Sequence, residues 1–268
     1  MYIIHLTKNG NSATNIQSVC HAISWAHSMA GVKDPCESDL VKLVKEGAIR
    51  ETSRPIIKKE PVLPEHLIRL IDIFANDNCS LADLRIACMC IVAYAGFLRF
   101  SELSQLQRQD IKIFQDHMII NIKKSKTDKY KHGSDVCIAR TNSKTCPVNI
   151  LERYLCMADI KSDSNEFLFR SVSFCKKTNC YKLRKINSPI SYTRTREIIL
   201  GAFNTIGLDK SKFGIHSLRS GGATAAATAG ISDRLFKKHG RWRSENAKDG
   251  YVREDLLQKL SVSKSLGI

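Results

Sequence analysis

The chain has 268 residues, 43% hydrophobic and 25% charged, which is the composition of a globular protein long enough to bury a sizeable core. Its 42 Lys and Arg residues outnumber its 26 Asp and Glu residues, so the formal net charge is +16. A fold does not need that excess of positive charge, whereas a polyanionic partner such as nucleic acid does. There is no secretory signal and no apolar run of membrane-spanning length, so we expect no membrane partner.

The ten cysteines do not follow the pattern of a disulfide framework or of a zinc site. Cys88 and Cys90 lie in an apolar run, where free cysteine behaves as a small hydrophobe. Cys175 and Cys180 have no second pair at a matching spacing. We therefore expect reduced thiols, no metal, no cofactor and an intracellular location, in the nucleus if the protein is eukaryotic and in the cytoplasm if it is bacterial or phage-derived.

Residues 1–60 predict a small helical segment that is too short to bury much surface. We expect an irregular lead over 1–13, a helix over 15–30 and a second helix over 37–46 that ends at Gly47. A basic linker marked by prolines then leads into the main domain.

The main domain, residues 61–268, begins with predicted helices over 65–75 and 81–94. Ser80 is a suitable N-cap for the second of them, with Asp83 three residues further on. Because this second helix is apolar on nearly every side, we expect it to be buried.

Ser101 can cap a further short helix. β-Branched residues over 111–122 and 135–139 predict a small antiparallel sheet closed by a basic hairpin. Helices are expected over 147–157 and 194–206. The predicted fold class is therefore mainly α with a small antiparallel β-sheet (α+β).

Basic residues are clustered in two places. The stretch between Glu166 and Glu197 contains no acidic residue. Its basic residues are Arg170, Lys176, Lys177, Lys182, Arg184, Lys185, Arg194 and Arg196. Those of the predicted hairpin are Lys123, Lys124, Lys126, Lys129 and Lys131. Clustered charge favours nucleic-acid binding over a merely solvated basic surface.

His216 and Arg219 lie three residues apart in a stretch without acidic residues, so on a helix their side chains share one face. Arg219 offers planar, bidentate donors to a phosphate, and His216 can exchange a proton with the same group. Gly221 and Gly222 are costly inside a helix, which predicts close approach by a ligand or a neighbouring helix. The alternative is an ordinary histidine at the start of an alanine-rich core helix.

Arg99 follows the predicted buried helix, and Glu102 lies one turn later, where its carboxylate can orient the guanidinium through a charge-assisted hydrogen bond. Lys126 lies on the predicted hairpin, from which a lysine can protonate a leaving oxygen. Taken alone, the first motif is better explained by a surface ion pair, and the second by one more solvated lysine.

Trp242 and Tyr251 complete the set of candidates. An indole N–H can donate to a phosphate oxygen, and a tyrosine can attack phosphorus once its proton is removed beside cations. Core packing is the alternative for both aromatic residues. The spacing to Tyr251 favours Trp242 over His239, which we expect at a helix C-terminus beside Gly240. Two arginines, a histidine and an indole can together stabilise a five-coordinate phosphodiester transition state without a metal.

From about Val62 to the C-terminus, the chain resembles the tyrosine recombinases, the phage-integrase-like family. The motifs that carry the resemblance are GFLRFSEL (96–103), the lysine hairpin, HSLRSGGAT (216–224), GRW (240–242) and Tyr251. Trp242 lies nine residues before Tyr251, the interval that this family uses for its histidine or tryptophan. The GRW sequence and the Ser-Gly-Gly after Arg219 are more similar to recombinases of eukaryotic DIRS or Crypton elements than to bacterial ones.

The resemblance implies site-specific DNA recombination or integration through a covalent 3′-phosphotyrosine intermediate, by a homo-tetramer on double-stranded DNA. The implied roles are a phosphate clamp of Arg99, Arg219, His216 and Trp242, a general acid at Lys126 and a nucleophile at Tyr251. Lys124 and Lys129 lie close enough to Lys126 to be alternatives to it.

Two other functions are compatible with the same residues. One is a catalytically inactive DNA-binding protein derived from a recombinase, and the other is a nicking-closing enzyme similar to type IB topoisomerases. Residues 1–60 would be a partial N-terminal DNA-binding segment that looks truncated before Asn15, which favours the inactive alternative.

Overall fold

The computed structural model describes residues 1–55, 57–126, 128, 130, 132–254 and 256–267, without the side chains of residues 256–258. The chain separates into two compact units, Met1–Lys58 and Lys59–Ile268. Helices predominate and the strands form small antiparallel sheets, so the predicted fold class is confirmed. Within the described ranges, no helix is both long and apolar enough to cross a membrane.

The helices of the first unit, over its described residues, are α1 (Tyr2–Lys8), α2 (Ala13–Met29) and α3 (Asp39–Thr52). The expected irregular lead over 1–13 is wrong, because Ile3 and Leu6 lie one turn apart and bury a common face of α1. α3 also continues past Gly47, since a glycine costs only about 1 kcal/mol inside a helix and Ala48 is buried just beyond it.

The helices of the second unit, over its described residues, are α4 (Pro64–Phe74), α5 (Leu81–Ala95), α6 (Phe100–Ser104), α7 (Pro147–Met157), α8 (Tyr192–Thr205), α9 (His216–Thr228), α10 (Asp233–Gly240), α11 (Glu245–Asp249) and α12 (Leu256–Lys264). The helices predicted over 65–75, 81–94, 147–157 and 194–206 are confirmed. Ser101 is not the cap of α6, because Arg99 has the extended backbone of the N-cap residue.

The strands form two separate antiparallel sheets. β1 (Ile111–Ile113), β2 (His117–Ile122) and β3 (Ser134–Ala139) form the first, in that order. β4 (Val172–Cys175) and β5 (Cys180–Leu183) form a hairpin that the sequence analysis did not predict. Its strands have only four residues each and alternate weakly, so periodicity did not reveal them.

α5 lies at the centre of the second unit. Ser80 Oγ accepts a hydrogen bond from Asp83 N at 3.2 Å and donates one to Asp83 Oδ2 at 2.7 Å, which is the predicted N-cap. The middle of the helix is fully buried, including Cys88 and Cys90, and burial raises the pKa of both thiols. α5 packs against α4, α7, α8 and α9, so the chain that leaves its C-terminal end is held in a fixed position.

Gly222 allows α9 to approach the backbone of α5 closely, and Gly221 allows it to approach the backbone of Val62, just before α4. A Cβ atom at Gly221 would collide with the carbonyl oxygen of Val62, and one at Gly222 with the carbonyl oxygen of Tyr94. The predicted close approach of a neighbouring helix is therefore confirmed. It brings the first turn of α9 beside the segment that follows α5.

Candidate active site

Arg99 and Glu102 are joined at the start of α6. Arg99 Nη1 donates to Glu102 Oε1 at 2.8 Å, and the backbone N–H of Arg99 donates to Oε2 at 2.9 Å. The Glu102 side chain is fully buried and that of Arg99 is 12% exposed. This pair is therefore not the surface ion pair that the sequence left open.

Arg219 is fully buried and is held by backbone carbonyl groups. Nη1 donates to Phe97 O, and Nη2 donates to Gly240 O at 2.8 Å. Its guanidinium carbon lies 4.7 Å from the ring centres of both Trp242 and Tyr251. Burial and the charge of Arg99 lower the pKa of Arg219, but an arginine stays protonated at neutral pH. The cation and the two aromatic residues thus form one cluster.

Phe97 supplies the carbonyl oxygen on which two arginines converge. Its backbone φ is +47°, a left-handed conformation that is uncommon for a bulky residue. The same carbonyl accepts from Arg219 and, at 2.9 Å, from Arg241 Nη2. A strained residue at this point turns its carbonyl towards both guanidinium groups, as strained backbone often does at functional sites.

Arg241 is the residue of this site that the sequence analysis missed. Its Nη2 lies 2.9 Å from Glu102 Oε2, and its Nη1 donates to Gly96 O at 3.1 Å. Arg241 itself has a left-handed backbone, with φ of +57°. Its partner is 139 residues away in the chain, so no spacing rule pointed to it. Arg241 is part of the GRW motif, but nothing in the sequence indicated a role for it.

The site carries three guanidinium groups and one carboxylate, among the residues just described. Burial alone would raise the pKa of Glu102, but Arg241, the N–H and charge of Arg99, and Arg219 outweigh it, so the pKa is lowered. Glu102 is therefore ionised at neutral pH. The surplus of buried positive charge makes this position suited to a phosphate group.

His216 is the first residue of α9 and is more than a third exposed, although the surrounding protein partly desolvates its ring. Desolvation of its ring lowers its pKa, and the charges of Arg219, Arg99 and Lys126 lower it further, against the opposing charge of Glu102. The imidazole is consequently neutral at pH 7 in the absence of DNA. The structure thus brings His216 within electrostatic reach of both arginines and of the lysine.

Lys126 lies in the turn after β2 and is exposed. With Lys124 and Glu102 it lines a cleft of about 440 Å³. The lysine therefore borders the same space as the carboxylate that holds Arg99. Lys124 borders it too, so the choice between these two lysines stays open, and the alternative Lys129 lies outside the described residues.

Trp242 and Tyr251 pack against one another, with ring centres 5.6 Å apart. Trp242 is 6% exposed, and its indole Nε1 has no hydrogen-bond partner among the described residues. A buried N–H is nearly always paired in native structures. The Tyr251 backbone is fixed by Ser220 Oγ, which donates to its carbonyl oxygen at 2.6 Å. The nine-residue interval therefore places both side chains at one point.

His239 is the histidine that the sequence analysis set aside. It lies in the last turn of α10, next to Gly240, as predicted. Its Nε2 is 2.7 Å from Ala95 O, and its ring packs edge-on against Phe97 at 4.6 Å. The side chain thus ties the end of α10 to the end of α5.

A family model described as the phage integrase family matches residues 62–256. The integrase/recombinase XerD homolog of Selenomonas ruminantium is 29% identical in an alignment 262 residues long that covers 96% of this chain and 73% of that protein. The recombinase Cre of Escherichia phage P1 is 23% identical in an alignment 264 residues long that covers 94% of this chain and 74% of that protein.

Solved structures share the fold at low sequence identity. The Tn1549 transposon integrase in complex with transposon right end DNA aligns with a TM-score of 0.63 and 14% identity, over 100% of this chain and 84% of that one. The XerH site-specific recombinase bound to palindromic difH substrate aligns with a TM-score of 0.58 and 18% identity, over 85% of this chain and 63% of that one. The family model covers well over half of the chain, and the chain therefore belongs to the phage integrase family, the DNA strand-transfer enzymes called tyrosine recombinases.

Proposed function

We propose that this protein performs site-specific recombination or integration by cutting and rejoining double-stranded DNA through a covalent 3′-phosphotyrosine at Tyr251. The observation that carries the proposal is the position of Arg219, which contacts Trp242 and Tyr251 by its guanidinium and shares the Phe97 carbonyl with Arg241. A phosphate at this point would neutralise the surplus positive charge.

In the first step, Tyr251 Oη attacks the scissile phosphorus and the bond from phosphorus to the 5′ oxygen breaks. Arg99, Arg219 and the Trp242 N–H, which has no partner among the described residues, hold the non-bridging oxygens, on which negative charge develops. His216, which is neutral at pH 7, is able to accept the tyrosine proton or to donate to the phosphate. No step requires a nucleotide cofactor, because the phosphotyrosine retains the energy of the broken bond.

Lys126 gives its proton to the departing 5′ oxygen, which leaves as a hydroxyl group. In the second step a 5′-hydroxyl of the partner strand attacks the phosphotyrosine, and Tyr251 leaves and regains a proton. The cleft beside Glu102 supports a lysine in this role, and Lys124 borders the same cleft as Lys126.

The first unit, Met1–Lys58, is proposed to grip the DNA as a partial N-terminal binding segment. The XerH and Tn1549 structures that share this fold contain DNA. Such a role places the protein inside the cell, where its substrate is found.

A homo-tetramer on two duplexes is the proposed working assembly. An apolar cavity of about 450 Å³ beside α10 has Ile231 and Leu235 on its exposed rim. α12 carries exposed apolar side chains, Leu260 and Val262, that a neighbouring copy could cover. Light scattering of the DNA-bound protein should give four chains per two duplexes, and Leu235→Glu should reduce this number.

The decisive experiment is a covalent trap. A library of candidate junction duplexes, each nicked near the cut so that the short 5′ fragment is lost, is incubated with the protein and analysed under denaturing conditions. The parent protein and the control Tyr192→Phe should form a covalent protein–DNA band, and Tyr251→Phe should form none. A band of equal strength with Tyr251→Phe would exclude the mechanism, and DNA binding without any band would indicate an inactive derivative.

A further inference from the structure

A second concentration of arginines lies away from Tyr251, around the N-terminal end of α8. A cavity of about 290 Å³ is lined there by Arg85, Ser171, Val172, Arg184 and Arg194. We call it the arginine cavity. Arg85 precedes the C-terminal end of α5 by ten residues, so about 15 Å of helix separates it from the segment after α5 that carries Arg99.

Arg85 is the buried member of the arginine cavity. It is 4% exposed, its Nη1 donates to Arg170 O at 2.5 Å, and its Nε has no hydrogen-bond partner among the described residues. It makes no ion pair with any carboxylate in the described part of the chain. Burying a charge without a counter-charge is costly, so the described residues do not explain why Arg85 is an arginine.

Among the described residues, no carboxylate near Arg85 supplies the missing negative charge. Burial lowers the pKa of Arg85 and Arg194 lowers it further, against the opposing effect of Tyr154, a phenol that donates to Leu168 O. The acids bound to neighbouring arginines are already engaged, since Glu166 pairs with Arg170 at 2.9 Å, and Glu197 pairs with Arg194 at 3.1 Å on the exposed side of α8.

The cavity also has the geometry of an anion site. Arg194 belongs to the first turn of α8, a 14-residue helix whose N-terminal end is positive. Arg184 reaches the cavity from the end of β5, where its N–H donates to Ser171 O at 2.9 Å. Three guanidinium groups from three elements thus converge on one cavity, and no acidic side chain of the described residues lines it.

We infer that the arginine cavity is a second phosphate site, separate from the catalytic centre, that binds either a backbone phosphate of DNA or a free phosphate group. Arg85 supplies the buried charge, and Arg184 and Arg194 close over the ligand from the exposed side. Only the DNA source rests on the proposed function, because the affinity for a phosphate group follows from the cavity itself.

The test uses inorganic phosphate and the full chain carrying Arg99→Gln, which weakens phosphate binding at the catalytic centre. Thermal unfolding is followed in phosphate and in chloride at equal ionic strength. Phosphate should raise the unfolding temperature of this protein, and the further changes Arg184→Gln and Arg194→Gln should remove the rise. The matched control is Lys176→Gln with Lys177→Gln, which removes the same charge from the neighbouring hairpin and should leave the rise intact.

Arg85→Met gives an independent readout. Methionine removes the buried charge, so this variant should be at least as stable as the parent without phosphate and should show no rise with it. A rise that persists in the Arg184→Gln, Arg194→Gln variant or in Arg85→Met overturns the proposal, as does the absence of a rise in the Arg99→Gln parent.

DNA binding identifies the source of the phosphate. With Tyr251→Phe to prevent cleavage, affinity is measured against salt concentration. A DNA phosphate in the cavity predicts that Arg184→Gln with Arg194→Gln lowers the log–log salt slope by about 1 more than the lysine control does. If the two variants have equal salt slopes but the arginine variant has lost the phosphate-dependent rise in unfolding temperature, the cavity binds free phosphate. If the covalent trap fails, the thermal unfolding and the salt dependence of DNA affinity still test the phosphate site.

Discussion

The guanidinium of Arg241 lies 2.9 Å from the carboxylate of Glu102, although 139 residues of chain separate them. Both side chains are buried, and Glu102 accepts from Arg99 on its other oxygen. A single carboxylate therefore fixes two arginines that come from distant parts of the second unit. It also offsets part of the repulsion among three closely placed guanidinium groups.

Glu102→Gln tests this relationship by removing the charge while keeping the shape. Loss of one partner of a buried ion pair should lower the free energy of unfolding by about 3 kcal/mol, measured by urea denaturation. The control is Asp159→Asn, which removes an exposed ion pair with Lys161 and should cost at most about 1 kcal/mol. Equal losses in the two variants would contradict the buried charge network.

The pH dependence of the same pair has a defined sign. Because the pKa of Glu102 is lowered on folding, its contribution to stability is present above the unfolded value of about 4.3 and is lost as the pH falls through the folded value. Urea curves between pH 7 and pH 3 should show the parent and Glu102→Gln converging on the acidic side. A constant difference across this range would mean that the carboxylate charge is not responsible.

Gly222→Ala tests the close approach of α9 to α5. The new Cβ would meet Tyr94 O and the Phe97 ring, so the free energy of unfolding should fall by about 1–3 kcal/mol. Covalent trapping should fall as well, since α9 carries His216 and Arg219.

Gly201→Ala is the matched control for this substitution. Gly201 lies inside α8, where a Cβ would meet no described atom within 4 Å apart from its chain neighbours and the backbone of its own helix. Alanine should raise the free energy of unfolding there by about 0.5–1 kcal/mol. Thermal unfolding of the two variants should therefore shift in opposite directions, and a shift in the same direction would show that the predicted collision is relieved.

Trp242→Phe tests the indole N–H, for which the described part of the chain offers no hydrogen-bond partner. Phenylalanine keeps much of the packing against Phe97 and Tyr251 but has no donor, so DNA affinity should change little. The single-turnover cleavage rate should fall about a hundredfold, the typical effect of removing one donor to developing negative charge. The control is Trp25→Phe, because Trp25 is 67% exposed and lies in the first unit. An unchanged cleavage rate in Trp242→Phe would assign the indole to packing alone.

A change of the leaving group shows whether Lys126 or Lys124 is the general acid. Lys126→Ala should slow cleavage of normal DNA by about 10²–10⁴-fold. A substrate with sulfur in place of the 5′ bridging oxygen should restore the rate, because a thiolate, from a thiol of pKa about 8.5, leaves without a proton. Lys124→Ala should slow neither substrate to that extent. The reverse pattern, with rescue of Lys124→Ala, would transfer the role to Lys124.

Local sequence determined several of the helices and the individual motifs of this protein. The apolar periodicity of α4, the cap at Ser80 and the proline at the start of α7 depend on neighbours within a few residues, so they could be predicted from the chain alone. The three-residue interval from His216 to Arg219 and the nine-residue interval from Trp242 to Tyr251 are of the same kind.

Only the tertiary structure decided how those motifs meet. The Arg241–Glu102 pair, the Phe97 carbonyl that receives Arg219, and the arginine cavity around Arg85 join residues that are far apart in the chain. No periodicity encodes such contacts, because they arise when helices that bury their own apolar faces pack side by side and leave specific polar groups opposite one another.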